Sequence, residues 1–214
     1  MLPDPADPAT TLLFDLDGTI ADSFEGIATS FRHCLREVGA PEPPQHVVDA
    51  IAGPPMLETL RSLLDEDTAL RAFRAYRSRY VDVGWRENVI FAGMDTLVRD
   101  LHAGGRTLAI ATSKNENSAR VILKYFGLDE YFTVIAGASD DMTRAAKHQV
   151  VEHAIAQVQG PHVMIGDRSH DVEGAREFNI PTAYVQWGYA VGDESTGARW
   201  TVAAVEDLRR LLGA

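Results

Sequence analysis

Five short apolar runs punctuate the chain: Thr11–Leu16, Leu108–Ala111, Thr133–Ala136, His162–Ile165 and Thr182–Val185. They are nearly continuous in apolar residues instead of alternating with polar ones, which is the pattern of strands buried on both faces of a parallel sheet. Segments with helical spacing lie between them. DTLVRDLHAGG precedes the second run and ends in glycines suited to a helix C-cap, and SARVILKYFG follows that run and also ends in glycine. AKHQVVEHAIAQV precedes the fourth run and HDVEGAREFN the fifth. Strand and helix alternate, so the pattern predicts an α/β, doubly wound, Rossmann-like fold.

One interval breaks the alternation. About 70 residues separate the first run from the helix near Met94, far more than a connection needs. Phe24, Ile27, Ala28, Phe31, Leu35 and Val38 recur there at helical spacing, and Asp22 with Glu25 forms a candidate capping box. Gly39 and the proline-rich APEPPQ end this helix, and HVVDAI, MLETLRSLL and ALRAFRAYRSRYVDV continue the helical pattern. The expected organisation is a tail over residues 1–10, an α/β core over 11–22 and 92–214, and an all-helical subdomain over 23–91. The insertion follows directly on the end of the first strand. In open α/β sheets ligands bind outside the carboxyl ends of the strands, so a subdomain placed there can cover a site and exclude water. The crossings near Ala21–Ser23 and Trp85–Gly93 are the expected hinges.

With 214 residues, 45% hydrophobic and 24% charged, the composition is that of a globular protein with a sizeable core. A formal net charge of -11 argues against nucleic acid or an anionic membrane as the main partner. No apolar run approaches the roughly 20 residues of a membrane span. Cys34 is the single cysteine, so no intrachain disulfide can form and a cytoplasmic setting is expected; at the flank of an apolar helical face it reads as a partly buried, inert thiol. The first ten residues, MLPDPADPAT, read as a short extended segment, not a signal peptide.

The candidate chemistry gathers where the strands end. The first run stops at Asp15, with Asp17 two positions on; residues two apart on a strand face the same side. The second run ends in Thr112, Ser113 and Lys114, and the fourth in GDRSHD, which carries Asp167 and Asp171. A parallel sheet brings these ends to one edge. Converging carboxylates form an oxygen-ligand site for a hard cation, with Mg²⁺ the best match, whereas no HExxH or cysteine cluster supports zinc. A single aspartate at a strand end is commonly a turn residue or a helix cap. It is the ordered set DLDGT, TSK and GDRSHD that carries the chemical reading.

That set resembles the haloacid dehalogenase-like superfamily, closest to its phosphoglycolate phosphatase group, over nearly the whole chain after the tail. FDLDGT from Phe14 to Thr19 matches the first motif and ATSK the second, with Thr112 at the hydroxyl position. Lys147 matches the third and IGDRSHD from Ile165 to Asp171 the fourth, and the helical insertion resembles the type-one cap. The resemblance implies that Asp15 attacks phosphorus and forms an aspartyl-phosphate. Mg²⁺ would be held by the Asp15 and Asp167 side chains and the Asp17 backbone carbonyl, with Asp171 supporting that shell. Lys147 would offset charge, and Asp17 would give a proton to the leaving alcohol and later take one from water. Thr112 and the backbone near Gly18, Thr19 and Ser113 would bind phosphate oxygens.

The implied activity is hydrolysis of a small phosphorylated metabolite, with 2-phosphoglycolate the leading substrate and nucleoside monophosphates or sugar phosphates the competitors, in a monomer or homodimer. Dehalogenases of the superfamily lack an acid at the position of Asp17. Its phosphonatases need a cap lysine, and this cap has none; its hexose-phosphate mutases carry a cap histidine where this chain has Ile27. A receiver-type signalling domain shares the Asp, Thr and Lys but lacks the large insertion and places its aspartate on a middle strand. Arg77, Arg79 and Arg86 are candidates for a substrate carboxylate. His170 is expected to face solvent, and Trp85, Trp187 and Trp200 to pack. Pro54 and Pro55 restrict a cap turn facing the site or start a helix.

Overall fold

The computed structural model describes residues 2–214. Its central sheet is built from β1 (Thr11–Phe14), β4 (Leu108–Asn115), β5 (Val134–Ala138), β6 (His162–Gly166), β7 (Thr182–Val185) and β8 (Trp200–Val202). The strands run parallel in the order β5-β4-β1-β6-β7-β8. Phe14 pairs with Ile110 on one side and Ile165 on the other. Strand order reverses at β1, so a crevice opens at the carboxyl ends of β1, β4 and β6.

Helices α5 (Met94–Ala103), α6 (Glu116–Tyr125), α7 (Lys147–Ile155), α8 (Ser169–Arg176) and α9 (Val205–Leu212) cover the sheet. The alternation within β1 explains the two apolar layers. Leu12 and Phe14 enter one cluster with Met94, Leu97, Ile122 and Leu208, while Leu13 enters the other with Val150, Val151 and Ala175. Trp85, Trp187 and Trp200 pack against the first cluster.

The helical unit comprises α1 (Phe24–Glu37), α2 (Gln45–Asp49), α3 (Met56–Leu63) and α4 (Glu66–Asp82), followed by a 3-10 turn over Gly84–Glu87. Its own core joins Ile27, Phe31, Leu35, Ile51, Leu60, Ala72 and Tyr80. The chain enters through β2 (Ala21–Asp22) and leaves through β3 (Val89–Ile90), and these two segments pair antiparallel. The crossings are thus one two-stranded link.

Three local expectations change. Residues 2–10 do not trail as a tail: Pro5 and Thr10 are buried, and the Arg106 guanidinium donates to the carbonyls of Pro5, Thr10 and Leu212. The buried arginine needs acceptors, and the backbone of both terminal segments supplies them. The capping box at α1 does not form either. Ser23 makes no side-chain cap, Glu25 accepts from Thr29, and the amide of Phe24 is met by Asp22 Oδ1 and the Tyr189 hydroxyl, both at 3.1 Å. Cys34 is fully buried, not partly; burial pushes its thiol up to about 12, so it is inert.

Candidate active site

Asp15 follows the last residue of β1, where the apolar side chains on both neighbouring strands leave its carboxyl little water. Burial raises the Asp15 carboxyl above its ordinary value, opposed chiefly by Lys147. Lys147 is the first residue of α7, and its ammonium lies 2.9 Å from Asp15 Oδ1, 2.6 Å from Asp171 Oδ1 and 2.9 Å from the Ala111 carbonyl. Burial works against its charge, but the two carboxylates outweigh burial and hold the ammonium charged.

Asp167 follows the last residue of β6 and is inaccessible to solvent. Its Oδ2 accepts from the Tyr189 amide at 2.7 Å and its Oδ1 from the Thr19 hydroxyl at 3.2 Å. Burial, then the charges of Asp171 and Asp15, push its carboxyl well above its ordinary value. Gly18 turns the chain here at φ +83, and a Cβ at Gly18 or Gly188 would overlap the Asp167 carboxylate. Both glycines are therefore required by close approach, the first also by its left-handed backbone.

Asp15, Asp167 and Asp171 each offer an oxygen within 4.8 Å of the others. Three carboxylates face one ammonium, and Asp171 Oδ1 makes no aligned hydrogen bond although Lys147 lies within ion-pair range. An all-oxygen, buried, under-compensated cluster is what a hard divalent cation requires, so these residues fit Mg²⁺.

Asp17 lines the same crevice but turns away from this cluster. Its Oδ2 accepts from Lys114 Nζ at 2.6 Å, and its Oδ1 has no hydrogen-bond partner. Lys114 also lies 4.6 Å from the ring centre of Tyr80; burial works against its charge, but Asp17, Tyr80 and Tyr76 outweigh burial and raise its ammonium. Thr112 is buried beside Asp15, and its Oγ1 accepts from the Lys114 amide at 3.2 Å; Ser113 is half-buried at the cavity wall.

The crevice continues under the helical unit as a cavity of about 160 Å³. Ile27, Phe73, Tyr76 and Tyr80 of that unit form one wall, and the turn Gly53–Pro55 another. Of the three candidate arginines, only Arg77 lines it. Arg77 pairs with Asp140 at 2.9 Å, Arg79 pairs with Glu87, and Arg86 stacks on Trp85. His170 is exposed at the cavity edge. Lys114 as the partner of Asp17, Tyr189 on Asp167, and the pair Arg168–Glu194 were not singled out in the sequence. Lys114 was visible only as the end of TSK, and the others sit on loops without periodicity.

A family model described as haloacid dehalogenase-like hydrolase matches residues 12–185. The chain is 45% identical to the tyrosine-protein kinase PtkA of Mycobacterium tuberculosis, over 98% of this chain and 74% of that protein. It is 36% identical to a 5'-nucleotidase of Pseudomonas aeruginosa, covering 86% of this chain and 85% of that one. A plasmid phosphoglycolate phosphatase of Cupriavidus necator is 28% identical over 96% of this chain and 94% of its own. Among solved structures, a predicted phosphatase from Clostridium acetobutylicum superposes with a TM-score of 0.88 at 32% identity, covering 96% of this chain and 99% of that one.

Proposed function

We propose, from the premise that this chain belongs to the haloacid dehalogenase-like hydrolase family, that it is a Mg²⁺-dependent phosphatase which hydrolyses small phosphomonoesters through a phosphorylated Asp15. The observation that carries this reading is the buried cluster of Asp15, Asp167, Asp171 and Lys147 at the floor of a cavity that also presents Asp17.

Asp15, Asp167 and Asp171 would hold Mg²⁺, which would supply positive charge that lowers the repulsion between an anionic nucleophile and an anionic phosphate. Lys147 keeps Asp15 oriented and lowers the repulsion that an anionic nucleophile meets. Asp15 attacks phosphorus as the bond to the departing oxygen breaks, and Asp17 gives that oxygen a proton. Asp17 then takes a proton from the water that attacks the phosphoenzyme, and the Asp15–phosphorus bond breaks. Thr112 and Ser113 donate hydrogen bonds to the phosphate oxygens, whereas the amides of Gly18 and Thr19 are taken by the carbonyls of Ala21 and Leu16 and the Thr19 hydroxyl by Asp167. Ile27, Phe73 and Tyr80 exclude bulk water from the nucleophile.

For the leaving group, the lining favours a neutral, ring-bearing moiety such as a nucleoside over glycolate. Each of the four lysines and arginines at the cavity is already paired with a carboxylate: Lys147 with Asp15 and Asp171, Lys114 with Asp17, Arg77 with Asp140 and Arg168 with Glu194. A carboxylate on the substrate would have to displace one of them, whereas Phe73, Tyr76 and Met56 offer apolar contact to a ring. The experiment is a panel of phosphorylated metabolites with Mg²⁺. The reading expects higher kcat/KM for nucleoside monophosphates than for 2-phosphoglycolate; the reverse order overturns the leaving-group assignment and leaves the hydrolase.

The similarity to PtkA supports a second reading, in which the Asp15 phosphoryl group passes to a tyrosine hydroxyl instead of water. Labelled ATP with a tyrosine peptide separates the two: phosphotyrosine formed in preference to free phosphate favours the transferase, free phosphate alone the phosphatase.

A further inference from the structure

The turn that roofs the cavity is held from the other side of the crevice. It runs from Ala52 to Pro55 between α2 and α3, and Gly53, Pro54 and Pro55 line the cavity. Pro54 and Pro55 have no amide hydrogen to donate. The Pro55 carbonyl accepts from the amides of Glu58 and Thr59 in α3, and among the described hydrogen bonds the one that ties this turn to the α/β core is from Arg168 Nη1 to the Ala52 carbonyl, 116 residues away in sequence. Gly53 sits at φ +113, and a Cβ there would overlap Arg168 Nη1. The turn is thus shaped to receive a guanidinium against its backbone.

Arg168 is in turn held straight. Its Nε and Nη2 meet the two oxygens of Glu194 at 2.9 and 3.2 Å, a two-pronged pair with both side chains largely buried. The same carboxylate accepts from the amides of Ser169 at 3.0 Å and Val191 at 3.1 Å. Burial works against charge on Glu194, but Arg168 and these amides win and hold it ionised. The backbone amide of Arg168 also donates to Asp171 Oδ2 at 3.0 Å. One residue therefore joins the carboxylate cluster, the loop carrying Glu194 and the roof of the leaving-group chamber.

We propose that Arg168, braced by Glu194, is a positioning residue that seats the Ala52–Pro55 turn over the leaving group and so sets which leaving groups are accepted. The inference rests on the phosphatase reading for its kinetic consequence. The bracing itself is independent of that reading. A leaving group large enough to fill the chamber touches the seated turn; a very small one leaves the site without touching it. Loss of the strut therefore weakens binding of the large and spares the small. A planar guanidinium held at both ends is not replaceable by a lysine ammonium, which offers no second edge.

The test compares p-nitrophenyl phosphate, whose leaving group is a bulky aryl ring, with acetyl phosphate, whose leaving group is the much smaller acetate. Glu194→Gln, Gly53→Ala and Arg168→Lys are each measured with both, alongside hydrogen exchange over residues 51–57. The expected result is a rise in KM of about tenfold or more for p-nitrophenyl phosphate, a change within about threefold for acetyl phosphate, and faster exchange at 51–57 with β1 and β6 unchanged. Glu194→Gln keeps size and shape, so it reports even if Arg168→Lys folds poorly. Equal losses on both substrates, or unaltered exchange at 51–57 in all three variants, overturns the proposal. If no phosphate ester is turned over at all, exchange still decides the strut while the phosphatase reading fails separately.

Discussion

Replacing Lys147 by methionine removes the one ammonium that touches the buried carboxylate cluster. Its Nζ is 2.9 Å from Asp15 Oδ1 and 2.6 Å from Asp171 Oδ1. At an effective dielectric near 20, each contact is worth about 6 kcal/mol in gross Coulomb energy, and burying three ions takes back several kcal/mol apiece. The difference matches the range for removing one partner of a buried pair, about 3–5 kcal/mol. For a chain of this size that lowers Tm by about 6–20 °C. The side chain lost is nearly isosteric with methionine, so cavity formation adds little. Differential scanning fluorimetry in EDTA reads the loss. Saturating Mg²⁺ then returns part of it, about 2.7 kcal/mol at a hundredfold excess over Kd, because a cation bound to the same carboxylates answers the same charge. A drop under about 2 °C, or a Mg²⁺ response equal to that of the parent protein, would refute the view that Lys147 compensates this cluster.

Other expectations follow from the same geometry. The folded-state pKa values of Asp15 and Asp167 are raised by burial, so their contribution to stability is full below about pH 3.8 and is lost as pH rises through the raised values. Mg²⁺ binds the ionised form, so the gap between urea midpoints with Mg²⁺ and with EDTA widens as pH rises through that window; a gap that narrows contradicts the site. Gly188→Ala forces a methyl group onto the Asp167 carboxylate and should weaken Mg²⁺ binding by about 10–100-fold in calorimetry. Hydrogen exchange at the paired crossings β2 and β3 should slow when Mg²⁺ and a phosphate analogue such as tungstate are added, and no change there argues against cap closure.

Much of the core was legible because buried parallel strands carry their own signature. Each of the five apolar runs overlaps an observed strand, and the second continues through Thr112 to Asn115, polar residues that follow the crevice instead of the core. The edge strand Trp200–Val202 was missed, since a stretch of three residues with an exposed threonine at its centre gives no apolar run, and α9 behind it went unassigned. The short pair β2–β3 has no periodicity to read. DLDGT, TSK and GDRSHD pointed to the crevice by composition and order. The partner of Asp17 could not be found that way, because the separation of 97 positions between it and Lys114 is spanned only in the fold. Arg168 shows the limit best: it was visible within GDRSHD, but its work depends on Glu194 and Ala52, two loop residues that no local pattern marks.

The central claim is that Asp15 carries the phosphoryl group and Asp17 moves the protons, and rapid quench with labelled p-nitrophenyl phosphate tests it most directly. Asp15→Asn should give neither turnover nor labelled protein. Asp17→Asn keeps an oxygen to accept from Lys114 and leaves Asp15, Asp167 and Asp171 unchanged, so the label should still be transferred, p-nitrophenolate being a leaving group that needs little help from an acid. Water activation is then slowed by about 10²–10⁴-fold, and phosphorylated protein accumulates. Alkyl phosphates should suffer a larger loss than p-nitrophenyl phosphate in this variant. Label retained by Asp15→Asn, or turnover by Asp17→Asn reduced equally for both kinds of ester with no trapped phosphoenzyme, contradicts the account.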